Sequence, residues 1–301
     1  MDAALAAAGI ERTGEVEQPR VRPWATVLTA PTTIGPVWLK ATAPATAHEV
    51  AIYALLAEVA PRHVLAPIAL DHERGWLLLP DGGPSMRAGA DGDRLVAGLA
   101  RAMAAYADLQ RAVAPRVGEL LAAGVPDMRP AAMSARFDEA LAAAAGAPAE
   151  LHDRVSAMRA TYAGWCEALA AAPGGASLDH NDLHPGNVLD GGRRFYDWGD
   201  SVVAHPFSCL LMPLGYVHGQ LGRDMEPVLD AYLAAFADLG RRVELERTVR
   251  LAAQVAKVAR ALTWERALRA LDPGDPDAAR FAGAPFHALA AIFDEPFDRV
   301  V

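Results

Sequence analysis

Lysine is almost missing from this chain. Of 28 lysines and arginines in 301 residues, only Lys40 and Lys257 are lysines, so each stands out against an arginine background. Cysteine is equally scarce, with Cys166 and Cys209 the whole complement. Two cysteines do not build a disulfide framework; the pair points to a reducing compartment and reads as two small buried hydrophobes. Long apolar runs are lacking as well. Runs such as Phe207 to Leu211 fall far short of the roughly 18 residues that a membrane span needs. The N-terminus has no basic segment and its apolar run stops at Glu11, so it does not read as a secretory signal. A cytoplasmic chain without a membrane partner is expected. Positive charge is in deficit: 28 Lys+Arg minus 37 Asp+Glu leaves −9. Such a chain suits a nucleic-acid backbone poorly, so no nucleic-acid partner is expected.

What is present is a globular balance, 52% hydrophobic and 22% charged, which excludes a disordered or collagen-like chain. The length allows one large domain or two lobes, each with its own core. Trp24–Ala30 and Pro36–Ala41 carry strand-forming residues around a Pro31–Gly35 turn, and read as a hairpin. A helical pattern covers Ala47–Leu56 and stops before Pro61. Val64–Leu70 and Gly75–Leu79 read as two more strands. Pro80-Asp81-Gly82-Gly83-Pro84 is the strongest break, and the lobe boundary is placed there, dividing 1–82 from 83–301.

Beyond it the periodicity turns helical. Leu95, Leu99, Met103, Tyr106, Leu109 and Val113 form one face of a long helix ending at Pro115. Further helices are expected over Phe137–Ala145, Leu151–Ala172, Pro227–Leu239 and Val249–Leu271, the last stopped by Asp272-Pro273-Gly274-Asp275-Pro276. The fold class is therefore α+β: a small antiparallel sheet with one helix, then a larger, mostly helical lobe, with a ligand in the cleft between them.

The segment that carries chemistry runs from His180 to Asp200. Val188-Leu189 and Phe195-Tyr196 are strand halves around an Asp190-Gly191-Gly192 turn. Folding that hairpin brings Asn187 opposite Tyr196 or Asp197, at the roughly 5 Å separation of cross-strand neighbours. An amide oxygen and a carboxylate so placed can share one Mg²⁺, a cation that takes oxygen ligands. Asp182, on the loop before the hairpin, is placed to accept a proton from an incoming hydroxyl. Phosphoryl transfer asks mainly for such positioning and charge neutralisation.

His180-x-Asp182-x-x-x-x-Asn187 followed by Asp197 resembles the catalytic and metal loops of the aminoglycoside phosphotransferase family. These are protein-kinase-like enzymes acting on small molecules, related to choline and fructosamine kinases. Leu183-His184-Pro185-Gly186-Asn187 is in the form typical of that family. The resemblance spans roughly 22–270 and implies a two-lobed kinase-like fold. It implies Asp182 as base or orienting carboxylate, His180 as the residue that holds the catalytic loop, and Asn187 and Asp197 as Mg²⁺ ligands. It also implies Lys40 as the lysine that pairs the phosphates, Glu49 as its ion-pair partner, and the Pro80 carbonyl and Gly82 N–H as contacts of the adenine edge. Thr29–Gly35 would be the loop over the phosphates. The implied cofactors are ATP, with GTP as the other nucleotide to consider, and Mg²⁺. The implied reaction transfers the γ-phosphate to a small-molecule hydroxyl. Aminoglycosides, sugars and amino alcohols are the acceptor candidates.

Other readings of the same residues differ in class. A pseudokinase would bind nucleotide without turning it over. His180, Asp182 and His184 also have the spacing of a transition-metal cluster, as in a metal-dependent phosphohydrolase. Glu265, on the stripe of the last long helix, either faces the substrate cleft or marks the drift of that stripe to the surface. Asp200 is near the metal loop in sequence without a firm role. Cys209 stands where the family has an Asp that braces the catalytic loop, so bracing here must come from elsewhere.

Overall fold

The computed structural model describes residues 1–88, 91–144, 147–269, 271–272 and 274–298, and the backbone alone of Asp190. Ala145 and Pro273, which the sequence reading places at a helix end and in a helix stop, lie outside the described residues, as do the last three residues of the chain. The chain opens with helix α1 (Asp2–Ala7), then strands β1 (Glu17–Arg22), β2 (Ala25–Thr32) and β3 (Gly35–Thr42). Helix α2 (Glu49–Val59) follows, then β4 (Ala69–Asp71) and β5 (Trp76–Pro80). These five strands form one antiparallel sheet in the order β1-β2-β3-β5-β4.

Strand alternation gives this sheet two cores. Val37, Leu39 and Leu78 point to one face, where Leu5 of α1 covers them. Leu77 and Leu79 point to the other face and join Val50, Ile52, Tyr53 and Leu56 of α2 in the main core. Lys40 lies opposite Leu77 in the ladder, so it shares that inner face. The sheet thus delivers Lys40 to the side that meets the rest of the molecule.

The remainder is mostly helical. Helices α3 (Gly92–Val113), α4 (Val117–Ala122), α5 (Pro130–Ala143), α6 (Ala149–Ala157) and α7 (Arg159–Ala170) come first, with the short strand β6 (Asp127–Met128) after α4. Asp91 caps α3 by accepting the Arg94 N–H at 2.8 Å. Then follow β7 (Ser177–Asp179), the hairpin β8 (Val188–Leu189) and β9 (Arg194–Phe195), and β10 (Val202–Ala204). The chain continues through α8 (Leu211–Gly215), α9 (Glu226–Leu233), α10 (Arg242–Leu268), α11 (Pro276–Phe281) and α12 (Ala284–Ala290). Strand β10 lies between β6 and β7 in a small buried sheet that anchors both ends of the motif region. No described helix is long and apolar enough to cross a membrane.

The α+β, two-lobed architecture agrees with the expectation, and local boundaries differ. The expected Val64–Leu70 strand shrinks to Ala69–Asp71, after Pro67, which has no N–H to give to a ladder. The expected 151–172 helix is two helices that break at Met158. Strand β1 carries little strand signal: Glu-Gln-Pro-Arg-Val-Arg is mostly polar and lies exposed at the sheet edge.

Candidate active site

The loop that starts at the end of β7 carries the expected acid. Its first residue is tied down by a tyrosine: the His180 backbone N–H donates to Tyr106 Oη at 2.7 Å, and that hydroxyl donates to the Leu178 carbonyl at 3.1 Å. Gln110, one turn on along α3, donates to the carbonyls of Leu178 (2.9 Å) and Pro206 (3.0 Å). The Cys209 thiol faces the same Gln110 at 3.7 Å. Tyr106 and Gln110 thus brace the loop.

Asn181 follows with φ +59°, a left-handed conformation that a non-glycine residue adopts only when its surroundings hold it. Here its N–H donates to Asp179 Oδ1 at 2.8 Å, its amide donates to Thr263 Oγ1 at 2.8 Å, and its carbonyl accepts from Arg260 at 2.6 Å. Asp182 is therefore presented from a fixed turn. Its Oδ2 and its carbonyl both accept from Asn187 Nδ2, at 3.2 and 2.9 Å. Arg260 stands 3.5 Å from its Oδ1. Burial pushes the Asp182 pKa up to about 7 despite Arg260.

The hairpin pairs as the sequence predicts: Val188 lies opposite Phe195, and the Tyr196 N–H donates to the Asn187 carbonyl at 3.3 Å. Asp197 comes next, again left-handed with φ +67°. Its Oδ1 accepts from Lys40, whose Nζ also lies 2.6 Å from Glu49 Oε2. Glu49 Oε1 accepts the Trp198 N–H at 3.0 Å. Residues 40, 49 and 197, scattered in sequence, thus close one ion-paired knot. Burial works against the Lys40 ammonium, yet Asp197 and Glu49 outweigh it and hold its pKa above the ordinary value. Burial likewise opposes the Asp197 carboxylate, and Lys40 overrides it, leaving that pKa below the usual value. For fully buried Glu49, burial wins and the pKa is pushed up to about 7.

Two cavities meet at this knot. One, of about 420 Å³, is lined by Val27, Lys40, Leu65, Leu77, Leu79 and the Pro80–Gly83 segment. Gly82 is packed tightly there; a Cβ on it would lie 2.4 Å from Leu189 Cδ1. The other, of about 470 Å³, is lined by Asp182, His184, Asn187, Asp200, Arg260 and Trp264, among others. Arg20, Trp24, Lys40, Tyr196 and Asp197 border both.

Several expectations need correction. Thr29–Gly35 does not lie over the cleft. Thr32 pairs with Gly35 at one end of the β2–β3 ladder, while Lys40 pairs with Val27 near the other. The cleft is covered instead by the Pro23-Trp24 turn between β1 and β2, which a polar first strand concealed. His180 does not reach the cleft: its Nε2 donates to the Tyr196 carbonyl at 3.0 Å and its ring lies against Trp198. Among the described residues no three His, Cys, Asp or Glu side chains, His180, Asp182 and His184 included, gather into a metal site. Glu265 bonds Arg269 at 2.6 and 2.7 Å and leaves the cleft to Trp264 and Ala267. Asp200 finds its place 3.6 Å from Arg260. Arg260 and Tyr106 were not singled out from sequence, since nothing local to α10 or α3 marks them.

Comparison with known proteins agrees with this geometry. The model of the phosphotransferase enzyme family matches residues 37–245. The macrolide 2'-phosphotransferase MphH from Brachybacterium faecium superposes with a TM-score of 0.56 at 20% identity, covering 99% of this chain and 98% of that one. An ethanolamine kinase from Plasmodium vivax gives 0.62 at 12% identity, over 94% and 83%. The amicoumacin kinase hAmiN, solved with AMP-PNP, Ca²⁺ and its antibiotic, gives 0.56 at 14% identity, over 95% and 92%. None of the curated proteins matches the chain. A family match over more than two thirds of the sequence, on a kinase-like fold, leads to one conclusion: the chain belongs to the aminoglycoside phosphotransferase (phosphotransferase enzyme) family, whose members transfer phosphoryl groups to small-molecule hydroxyls.

Proposed function

We propose that this protein is an ATP- and Mg²⁺-dependent kinase of a small hydroxyl compound, with residues 1–82 as the nucleotide lobe and 83–301 as the catalytic and acceptor lobe. The observation that carries the reading is the convergence of Lys40, Glu49 and Asp197 on the edge shared by two cavities, with Asp182 and Asn187 beside them.

The residues fit a magnesium ion. Asn187 spends its N–H₂ on Asp182, which leaves its carbonyl oxygen to face a cation. Asp197 is held ionised by Lys40. Among the described residues no three His, Cys, Asp or Glu side chains gather into a metal site. Mg²⁺ takes few protein ligands and completes its shell with phosphates and water. When bound, the ion neutralises charge on the phosphates.

The chain's own groups do the rest. The 420 Å³ cavity takes the nucleoside, with the Pro80 carbonyl and Gly82 N–H offered to the base edge. Proline has no N–H, so Pro80 serves only as acceptor. Lys40, steadied by Glu49, orients the phosphates. Asp182 aligns the acceptor hydroxyl and takes its proton on Oδ1, the oxygen that Asn187 leaves free. His180 fixes the loop from behind.

The test is a nucleotide thermal-shift series with turnover measured in parallel. ATP with Mg²⁺ should raise the melting temperature of the wild type, and Asp197→Asn should lose that shift. Asp182→Asn should retain it while turnover falls at least roughly 100-fold. An Asp182→Asn variant with normal turnover would overturn the assignment.

A further inference from the structure

The acceptor half of the cleft is cationic although the chain as a whole carries −9. Arg20, Arg87 and Arg260 open onto it, together with Lys40. The facing carboxylates are Asp182, Asp197 and Asp200, and each has a cation beside it. Asp197 is paired with Lys40, and Arg260 stands 3.5 Å from Asp182 and 3.6 Å from Asp200. Glu265 is bound to Arg269 outside the cavity. An ammonium-rich acceptor therefore meets no spare carboxylate here and is repelled by the arginines.

Arg20 and Arg87 are the cations left over, and of the two Arg87 is tied to the catalytic loop. Its backbone N–H donates to the Pro185 carbonyl at 3.2 Å, so it is fastened to the catalytic loop. Its guanidinium lies 5.9 Å from the centre of the Tyr216 ring and is exposed. Among the described residues no carboxylate pairs with it. Ser85 and His184 line the same cavity. The Gly186 N–H donates to His184 Nδ1 at 2.9 Å, which puts the ring proton on Nε2. This wall thus offers a guanidinium and a hydroxyl as donors, while the His184 Nε2 proton faces Asp182 Oδ2 at 3.6 Å. Trp264 and Ala267 supply an apolar wall. A guanidinium fork matches carboxylate and phosphate oxygens two at a time.

We propose that the acceptor is a hydroxyl compound bearing an oxyanion, a carboxylate or a phosphate, seated on Arg87 with Ser85 while its hydroxyl meets Asp182 beside His184. Polyamines are disfavoured. The inference rests on the kinase reading above and narrows its acceptor. In the reaction, the acceptor oxygen bonds to the γ-phosphorus, the bond from that phosphorus to the β–γ bridging oxygen breaks, ADP leaves with the electron pair, and the hydroxyl proton passes to Asp182.

The experiment uses the full chain loaded with ADP and Mg²⁺, and four three-carbon probes that differ in charge: glycerol, 3-amino-1,2-propanediol, glycerate and glycerol 3-phosphate. One or both anionic probes should raise the melting temperature by about 2 °C or more above glycerol, and the amine should not. Arg87→Met should erase that increment and keep the ADP–Mg²⁺ shift. Glycerate against glycerol 3-phosphate tells which oxyanion the site prefers. The proposal is overturned if neither anion exceeds glycerol, if the amine stabilises as much as the anions, or if Arg87→Met leaves the increment intact. Absence of the ADP–Mg²⁺ shift itself overturns the kinase reading beneath it, so the two failures are distinguishable.

Discussion

Asp179 ends β7 with its carboxylate buried, accepting the Asn181 N–H at 2.8 Å. Burial lifts its pKa from 3.8 to about 7. The folded chain therefore holds this proton more tightly than the unfolded chain does. Its contribution to stability is complete below pH 3.8, declines as the pH rises, and is lost above about 7. Asp179→Asn keeps the Oδ1 acceptor and cannot ionise. Relative to wild type, this variant should gain roughly 2 kcal/mol between pH 5 and pH 8 in urea unfolding. An equal difference at both pH values would refute the argument. At this scale the sequence was uneven. Asn187 and Asp197 were legible because a hairpin of known register fixes their spacing, and Asp182 because it stands in the loop motif just before it. Lys40 stood out because lysine is so rare here. Arg260, Arg87 and Tyr106 were not legible: each acts through one side chain brought in by an element whose own pattern is unremarkable.

Among the elements, helix α3 reads in sequence as an amphipathic stripe, and Tyr106 as one more residue on it. In the fold the stripe does two jobs. Leu99, Met103 and Leu109 build core, while the Tyr106 hydroxyl leaves that core to hold the His180 N–H. Periodicity reports which face is buried and is silent on which buried hydroxyl has a partner. Tyr106→Phe keeps the ring and strands the buried His180 N–H, a loss of about 1–3 kcal/mol in stability. It should also lower kcat with little change in the apparent nucleotide affinity, because His180 carries the loop to Asp182 and does not line the cleft. Cys209→Ser, next to the same brace, should be far milder; equal kcat losses in the two variants would mean general unfolding and not loop positioning. The β2–β3 hairpin shows the opposite limit of sequence reading. Its strands were legible from β-branched and aromatic residues. Which of its ends faces the cleft was fixed by β1, a polar edge strand without such a signal.

For the whole molecule, the two halves meet at Trp24. This residue sits in the β1–β2 turn, and its carbonyl accepts from Ala43 N (2.9 Å) and Thr46 Oγ1 (2.9 Å). Its ring lies edge-on to Trp264 of α10 at 6.1 Å and to Phe281 of α11 at 5.8 Å. The cover of the 420 Å³ cavity is thereby latched to α11 and to α10, which lines the 470 Å³ cavity, and Trp24 borders both cavities. Aromatic pairs of this kind contribute about 0.5–1.5 kcal/mol beyond area burial. Trp24→Ala should therefore raise KM for nucleotide and for acceptor together, each roughly three- to tenfold. Trp38 gives the comparison. It borders the nucleotide cavity alone and donates to Asp81 Oδ1 at 2.9 Å. Trp38→Ala should move the nucleotide KM and leave the acceptor KM near its wild-type value. Steady-state kinetics with each substrate varied in turn separates the cases. If Trp24→Ala shifts only one of the two constants, the turn is a cover for one site and not a latch between lobes.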